Sequence, residues 1–169
     1  MIVISTDRLT LREYSLDDAP FIFELMNSDG WLKNIGDRNI QSVKDAEAYI
    51  EKHYLSSYDT NGFGAYIVQL KETGEFIGSS GLYKRDQFEH PDIGFAFLPQ
   101  FFNKGYAFEA AWATMDFARK NLRFKTILGI TLPTNQSSIR LLNKLGLKEV
   151  DRVKMKGDDE ELLLFSTES

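Results

Sequence analysis

The stretch PDIGFAFLPQFFNKGYAFEA, Pro91–Ala110, runs from an apolar strand-like segment through a pair of aromatics to a lysine-glycine pair that opens an alanine-rich segment. The helical pattern that begins there continues to about Asn121 and gives way to KTILGITL, which again reads as a strand. A strand, a helix and a strand joined over this length suit parallel neighbours linked by a right-handed crossover. Phosphate ligands are often bound at the carboxyl end of the first such strand, where the following helix presents its N-terminus. The Lys104-Gly105 pair sits at that point. The first turn of a helix carries about four amide hydrogens without intrahelical partners, and the macrodipole adds roughly half a positive charge. The amides of Asn103 through Ala107 can therefore cradle a diphosphate, with Gly105 allowing close approach and Ala107 keeping the next exposed face small. A glycine that merely eases the turn into the helix accounts for this stretch equally well.

The rest of the chain supplies the setting. Its 169 residues suffice for one core and are too few for two ordinary domains, so residues 1–169 are read as a single domain. No stretch approaches the roughly 20 consecutive apolar residues of a membrane span. With no cysteine, disulfides, thiolate metal sites and cysteine nucleophiles are excluded. The start MIVISTDRLTLRE lacks the pattern of a secretion signal, which makes the cytoplasm the expected location. A formal net charge of −5 argues against a nucleic-acid partner. His53 and His90 read as surface residues, and no metal is expected.

RLTLREY alternates as a strand, and SLDDAPFIFELMNSD follows as a helix capped by Ser15. SVKDAEAYIEKHYLSSY is a second helix behind Ser42, with Asp45 completing a capping box. GFGAYIVQL and GEFIGSSGLYKR form a hairpin whose turn, KETG, uses Gly74 for the positive dihedral. Beyond the strand-helix-strand unit, TNQSSIRLLNKLGLKEV reads as a short helix from an Asn135 cap to Leu145, ended by Gly146. KEVDRVKMK and EELLLFST are the terminal strands. The order is mixed α/β.

Taken together, these stretches resemble the GNAT superfamily of acetyl-CoA-dependent N-acetyltransferases, and within it the RimJ/RimL-like branch of ribosomal-protein N-terminal acetyltransferases. TDRLTLREYSLDDA is similar to the branch's opening strand and helix, GEFIGSSGLY to its central hairpin, DIGFAFLPQFFNKGYAFEA to its coenzyme strand and loop, and NQSSIRLLNKLGL to its following helix. The resemblance implies a central twisted mixed sheet of about six to seven strands flanked by about four helices, with a parallel strand-helix-strand coenzyme site. It implies acetyl-CoA as co-substrate and a primary amine, on a protein N-terminus or a small molecule, as acceptor. The family's coenzyme motif has Gln or Arg, then Gly, then Gly or Ala; Gln100, Asn103 and Gly105 occupy these positions, so Asn103 replaces the first glycine. Asn tolerates left-handed dihedrals better than most residues, which lets the loop keep its shape.

By the same resemblance, Phe97 and Leu98 lend backbone groups to the pantetheine arm, Asn103, Lys104, Gly105, Tyr106 and Ala107 hold the diphosphate, and Asn135 reaches the arm from the neighbouring strand. Lys144 is placed near the nucleotide phosphate, unless it is a plain surface lysine. An alkylamine with a pKa near 10.4 is about 99.9% protonated at pH 7, so transfer requires a proton sink. FEHPDIG offers Asp92 first and Glu89 second as general base, although an exposed polar loop explains both. The tyrosine that many relatives carry seven residues after the motif asparagine is Leu142 here; the branch's proton donor to the departing thiolate falls on Ser138, which has a helix-start role as its alternative. Trp31, Phe63 and Tyr83, with Tyr66 and Phe88, suggest an aromatic cleft with acids nearby that suits an amine cation, and core packing explains the same rings. A non-catalytic acyl-CoA-binding sensor or interaction module of the same fold is the alternative to an enzyme. A homodimer through the terminal strands is possible. A phosphate-loop nucleotide site is poorly supported, because Lys104-Gly105 lacks the other glycines and the Ser or Thr of that motif.

Overall fold

The computed structural model describes residues 1–168. The chain opens with two antiparallel strands, β1 (Ile2–Ser5) and β2 (Leu9–Glu13), of which the sequence reading identified only the second. A short 3-10 turn over Leu16–Asp18 leads into α1 (Ala19–Met26). Here the Ser15 amide donates to Asp18 Oδ2, and Asp18 also accepts both arms of the Arg12 guanidinium, each at 2.8 Å. Asp18 is almost fully buried, so this forked pair fixes the angle between β2 and α1 in a place where neither charge could stand alone.

A short helix, α2 (Asp29–Asn34), follows, then α3 (Val43–Tyr49). Ser42 caps α3 by accepting from the Asp45 amide, while Asp45 returns the favour to the Gln41 amide. Instead of one long helix, α3 passes through a π segment over Ile50–Leu55 before α4 (Ser56–Asn61). The next strands, β3 (Ala65–Leu70) and β4 (Phe76–Tyr83), form the expected hairpin, with Gly74 at φ +79° in its turn. Then come β5 (Asp92–Phe97), α5 (Tyr106–Lys120), β6 (Leu128–Thr131), α6 (Gln136–Lys144), β7 (Lys148–Lys154) and β8 (Glu161–Ser166).

The strands form one sheet in the order β1-β2-β3-β4-β5-β6-β8-β7. Alternation along β3 divides its residues between two cores: Ala65 and Ile67 pack with α1 and α3, while Tyr66, Val68 and Leu70 pack on the side of α5. Thr114 pins α5 to the sheet; it donates to the Ala110 carbonyl and lies 2.9 Å from the hydroxyl of Ser80 on β4. A third core lies between α5, α6 and the β6–β8 end, and it contains Leu142 and Phe63.

All neighbours in the sheet are antiparallel except β5 and β6, which run parallel with α5 as their crossover. Their pairing is confined to Asp92 and Leu128, with the Leu128 amide donating to the Pro91 carbonyl. Beyond that point the strands diverge. Replacing Arg12 with Leu should destabilise the protein by about 3 kcal/mol, because Asp18 would keep its charge in the interior without its partner; a shift below about 1 kcal/mol in urea unfolding would show that the pair does not anchor α1.

Candidate active site

The divergence of β5 from β6 opens a wedge in the middle of the sheet. In an antiparallel strand, alternate residues direct both backbone groups to the same neighbour. The Leu98 amide donates to Ile77 on the β4 side, and the Leu98 carbonyl accepts from Phe101. The Leu98 amide is therefore taken up on the β4 side, and its carbonyl already accepts once within the turn, so the expected contact is not aimed into the wedge by this residue's N–H. The alternation gives the wedge side to Phe95 and Phe97 instead. A cleft of about 2100 Å³ runs from this wedge across the ends of α2 and the π segment.

At the mouth of the wedge, the chain turns through a 3-10 turn, Pro99–Phe101, into α5. Asn103 has φ +62° and Gly105 φ +82°, so two left-handed residues separated by Lys104 bring the chain around before the helix begins. Asn103 thus takes the left-handed backbone that asparagine tolerates better than most residues. The loop is held from outside by Arg8, which follows β1. Its guanidinium donates to the Lys104 carbonyl at 3.1 Å, pairs with Glu109 at 2.6 Å and stacks on the Tyr106 ring at 4.5 Å. Thr6 and the Arg8 amide also donate to Glu109. Together these contacts lower the Glu109 pKa against the opposing effect of its burial.

On the opposite wall, Asn135 caps α6 by accepting from the Ser138 amide at 3.2 Å. That cap leaves the Asn135 side-chain NH2 to face other partners. Ser138 is half-buried and lines the cleft. Lys144 also lines it, with its ammonium 4.1 Å from the centre of the Phe108 ring. Leu142 is buried and lies against Gly129.

Asp92 lies at the base of the wedge, nearly fully buried, with Arg85 donating from Nε at 2.8 Å and from Nη2 at 3.3 Å. Burial raises the Asp92 pKa, and the Arg85 charge and hydrogen bonds oppose that rise. Tyr83 stands opposite Asp92 across the β4–β5 pair and lines the cleft, its hydroxyl pKa raised by burial. Trp31 on α2 lines the same space, and its buried indole N–H has no acceptor among the described residues.

The structure thus gathers Ser138, Asp92, Phe97, Asn103, Gly105, Tyr106, Ala107, Asn135, Lys144, Trp31 and Tyr83 around one cleft. Glu89 is exposed on the loop before β5 and does not line it, and neither do Gln100 and Lys104. Phe63 is buried edge-on against Phe124 in the third core, at 5.4 Å between ring centres; it serves packing and not the cleft. The sequence reading missed Arg85, Tyr49, Lys52 and Tyr54, and nothing in their local sequence sets them apart from ordinary helix and loop residues. It also missed Arg8, although the segment containing it was part of the family resemblance.

A family described as the acetyltransferase (GNAT) domain matches residues 8–148. The chain is 28% identical over 145 residues to the uncharacterized N-acetyltransferase YnaD of Bacillus subtilis (strain 168), covering 86% of this chain and 82% of that protein. The crystal structure of an acetyltransferase from Agrobacterium tumefaciens str. C58 superposes with a TM-score of 0.82 at 27% identity, covering 100% of this chain and 95% of the other. RimL, a ribosomal L7/L12 alpha-N-protein acetyltransferase solved with coenzyme A, shares the fold at a TM-score of 0.83 and 14% identity, over 98% and 97% of the two chains.

The left-handed position provides a direct check on the loop. Asn103→Val should cost about 1–2 kcal/mol in urea unfolding, because a β-branched residue is strained at positive φ, whereas Asn103→Gly should change stability by less than about 1 kcal/mol. Equal effects of the two replacements would show that the loop does not depend on this dihedral.

Proposed function

Because the chain belongs to the GNAT acetyltransferase family, we propose that it transfers the acetyl group of acetyl-CoA to a primary amine, as a protein similar to the RimJ/RimL-like branch. The observation that carries this reading is the open β5 edge ending at a left-handed loop and a helix start. Phe95 and Phe97 offer an unpaired strand edge for the amides of a pantetheine arm, as in strand addition. Asn103 to Ala107 then present the start of a 15-residue helix to a diphosphate. RimL, which shares the fold, was solved with coenzyme A, which is in keeping with a coenzyme A thioester as co-substrate.

In this reading the amine nitrogen bonds to the acetyl carbon, and the carbon-sulfur bond breaks. Backbone N–H groups of β5 polarise the attacked carbonyl, which carries more negative charge as the reaction advances. Asp92 receives the amine's proton directly or through water, since each carboxylate oxygen retains a lone pair after pairing with Arg85. The Ser138 hydroxyl hydrogen-bonds the departing thiolate and passes it a proton that the hydroxyl regains from water. A thiol titrates near pKa 8.5, well below an amine, so that donation assists the reaction without being essential.

The primary test is thiol release from acetyl-CoA with a panel of amines and N-terminal peptides, after calorimetry has established coenzyme binding. Gly105→Trp should weaken acetyl-CoA binding by about tenfold or more, because φ +82° is strained for an L-residue and the added bulk meets Arg8; unchanged affinity would remove the loop from the coenzyme site. Ser138→Ala should lower kcat by about 10-fold or more with little change in the KM for acetyl-CoA; wild-type kinetics would end its proposed role.

The pH profile tests Asp92. The ionised form is the one that accepts a proton, so its raised pKa moves the acid limb of kcat/KM above the pH expected of an ordinary aspartate. Arg85→Gln removes the charge that holds the pKa down and should move that limb to still higher pH. An unmoved or downward-moved limb would exclude Asp92 as the proton acceptor.

A further inference from the structure

The cleft is basic in an acidic protein. Nine lysine and arginine residues line it against four aspartate and glutamate residues, whereas the chain as a whole has a formal net charge of −5. Lys144 and Arg140 on α6 lie on the coenzyme wall, where an anionic diphosphate explains them. The cations on the other wall need a different account, because α2, the loop after it and the π segment face the space left for the acceptor. Lys33, Arg38 and Lys52 line that wall. None of them forms an ion pair among the described residues.

The local sequence could have neutralised this wall and does not. Asp37 adjoins Arg38 and Glu51 adjoins Lys52, yet neither acid lines the cleft. The chain turns the cations in and the acids away. His53, which stacks beside Tyr49 with 4.3 Å between ring centres, has its pKa lowered by burial and further by the charges of Lys52 and Arg38. Arg38 and Arg85 also pull down the Tyr83 pKa against the larger effect of burial. The positive field of this wall therefore extends to Tyr83, directly across the β4–β5 pair from Asp92. Asp92 itself contributes little free negative charge, since Arg85 holds both of its oxygens. This arrangement corrects the sequence expectation of an acidic cleft for an amine cation.

Resting on the acetyltransferase reading above, we propose that the acceptor is an amine that also carries an oxyanion, a carboxylate or a phosphate, and that Arg38 and Lys52 hold that group while the amine faces the thioester. Arg38 offers a planar fork suited to an oxyanion, and Lys52 a mobile point charge. A polyamine or an amine-bearing polycation would place its second charge against the same wall, where like charges repel. The apolar surface of Trp31, Tyr54 and Tyr83 accommodates the carbon skeleton between the two polar ends.

The test uses acceptors that differ only in the second group. One series is the dipeptide amides alanyl-aspartate, alanyl-phosphoserine, alanyl-asparagine and alanyl-lysine; the other is γ-aminobutyrate, its amide and putrescine. Binding of each to the protein saturated with coenzyme A is measured by calorimetry, and turnover with acetyl-CoA by thiol release. In at least one series the anionic members should bind about tenfold more tightly than the neutral one, with the cationic member weakest. The aspartate and phosphoserine peptides distinguish carboxylate from phosphate. Arg38→Gln with Lys52→Gln should abolish the preference and leave acetyl-CoA affinity unchanged; both side chains are exposed, so folding is not at risk.

Equal binding across both series, no binding of any member, or a preference for the cation would overturn the inference. So would a double substitution that leaves the anion preference intact. An anion preference in binding without thiol release would instead count against the acetyltransferase reading while upholding the basic acceptor wall.

Discussion

The structure depends on a hydrogen-bond constraint in the middle of its sheet. An internal strand normally satisfies both of its edges, and buried backbone groups left without partners are costly. Here β5 is paired along β4 but meets β6 only at Asp92 and Leu128. The two halves of the sheet are each drawn elsewhere. On one side α5 is pinned to β4 through Thr114 and Ser80. On the other, β6 pairs along its length with β8, and α6 lies so close to β6 that a side-chain carbon at Gly129 would meet Leu142 at 2.7 Å. These packings hold the two halves of the sheet on either side of the wedge, and the β5 edge that faces it is left without a strand partner beyond Asp92.

The electrostatic design follows the same division. Asp92 and Arg85 form a forked pair at the apex of the wedge, and Arg12 with Asp18 forms a second where β2 meets α1. In each pair the acid is nearly fully buried and the arginine is more exposed. The acids' charge is thus compensated locally, while Lys33, Arg38 and Lys52, which have no ion-pair partner among the described residues, line the cleft. Low-dielectric walls focus the field of such charges, so a few cations can dominate a cleft in a protein whose overall charge is negative. Net charge describes the chain's average surface; the sign of a site depends on which residues the fold turns inward.

That distinction explains what could be read from the sequence. The parallel unit around α5 was legible because a period-2 segment, a glycine and a period-3.6 segment follow one another in a single stretch. The Asn103 dihedral was legible because it rests on the intrinsic tolerance of one residue type. The hairpin at Gly74 and the caps at Ser42 and Asn135 were also local. The separation of β5 from β6 was not, because it depends on packing and pairing between segments far apart in the chain. The acceptor wall was not, because Arg38, Lys52 and Arg85 come from three segments whose meeting no spacing records. Phe63 was read as a site residue because its composition and position in the hairpin region do not reveal which side of the sheet it faces.

The π segment shows how a correct local pattern can conceal its structural cause. Tyr49 and Tyr54 are five residues apart, and on a regular helix they would point about 140° away from each other. Their rings nevertheless meet edge to face at 5.6 Å, and both line the cleft. The wider turn of Ile50–Leu55, with its bonding from residue i to i+5, brings them together. Tyr14 stacks on Tyr54 at 4.7 Å and fixes it from the core side. Lys52 and His53, three and four residues after Tyr49, lie on the same helix face and also line the cleft. The wider turn thus adds Tyr54 to the face that Tyr49, Lys52 and His53 share along the cleft, whereas a regular helix would turn Tyr54 away from it.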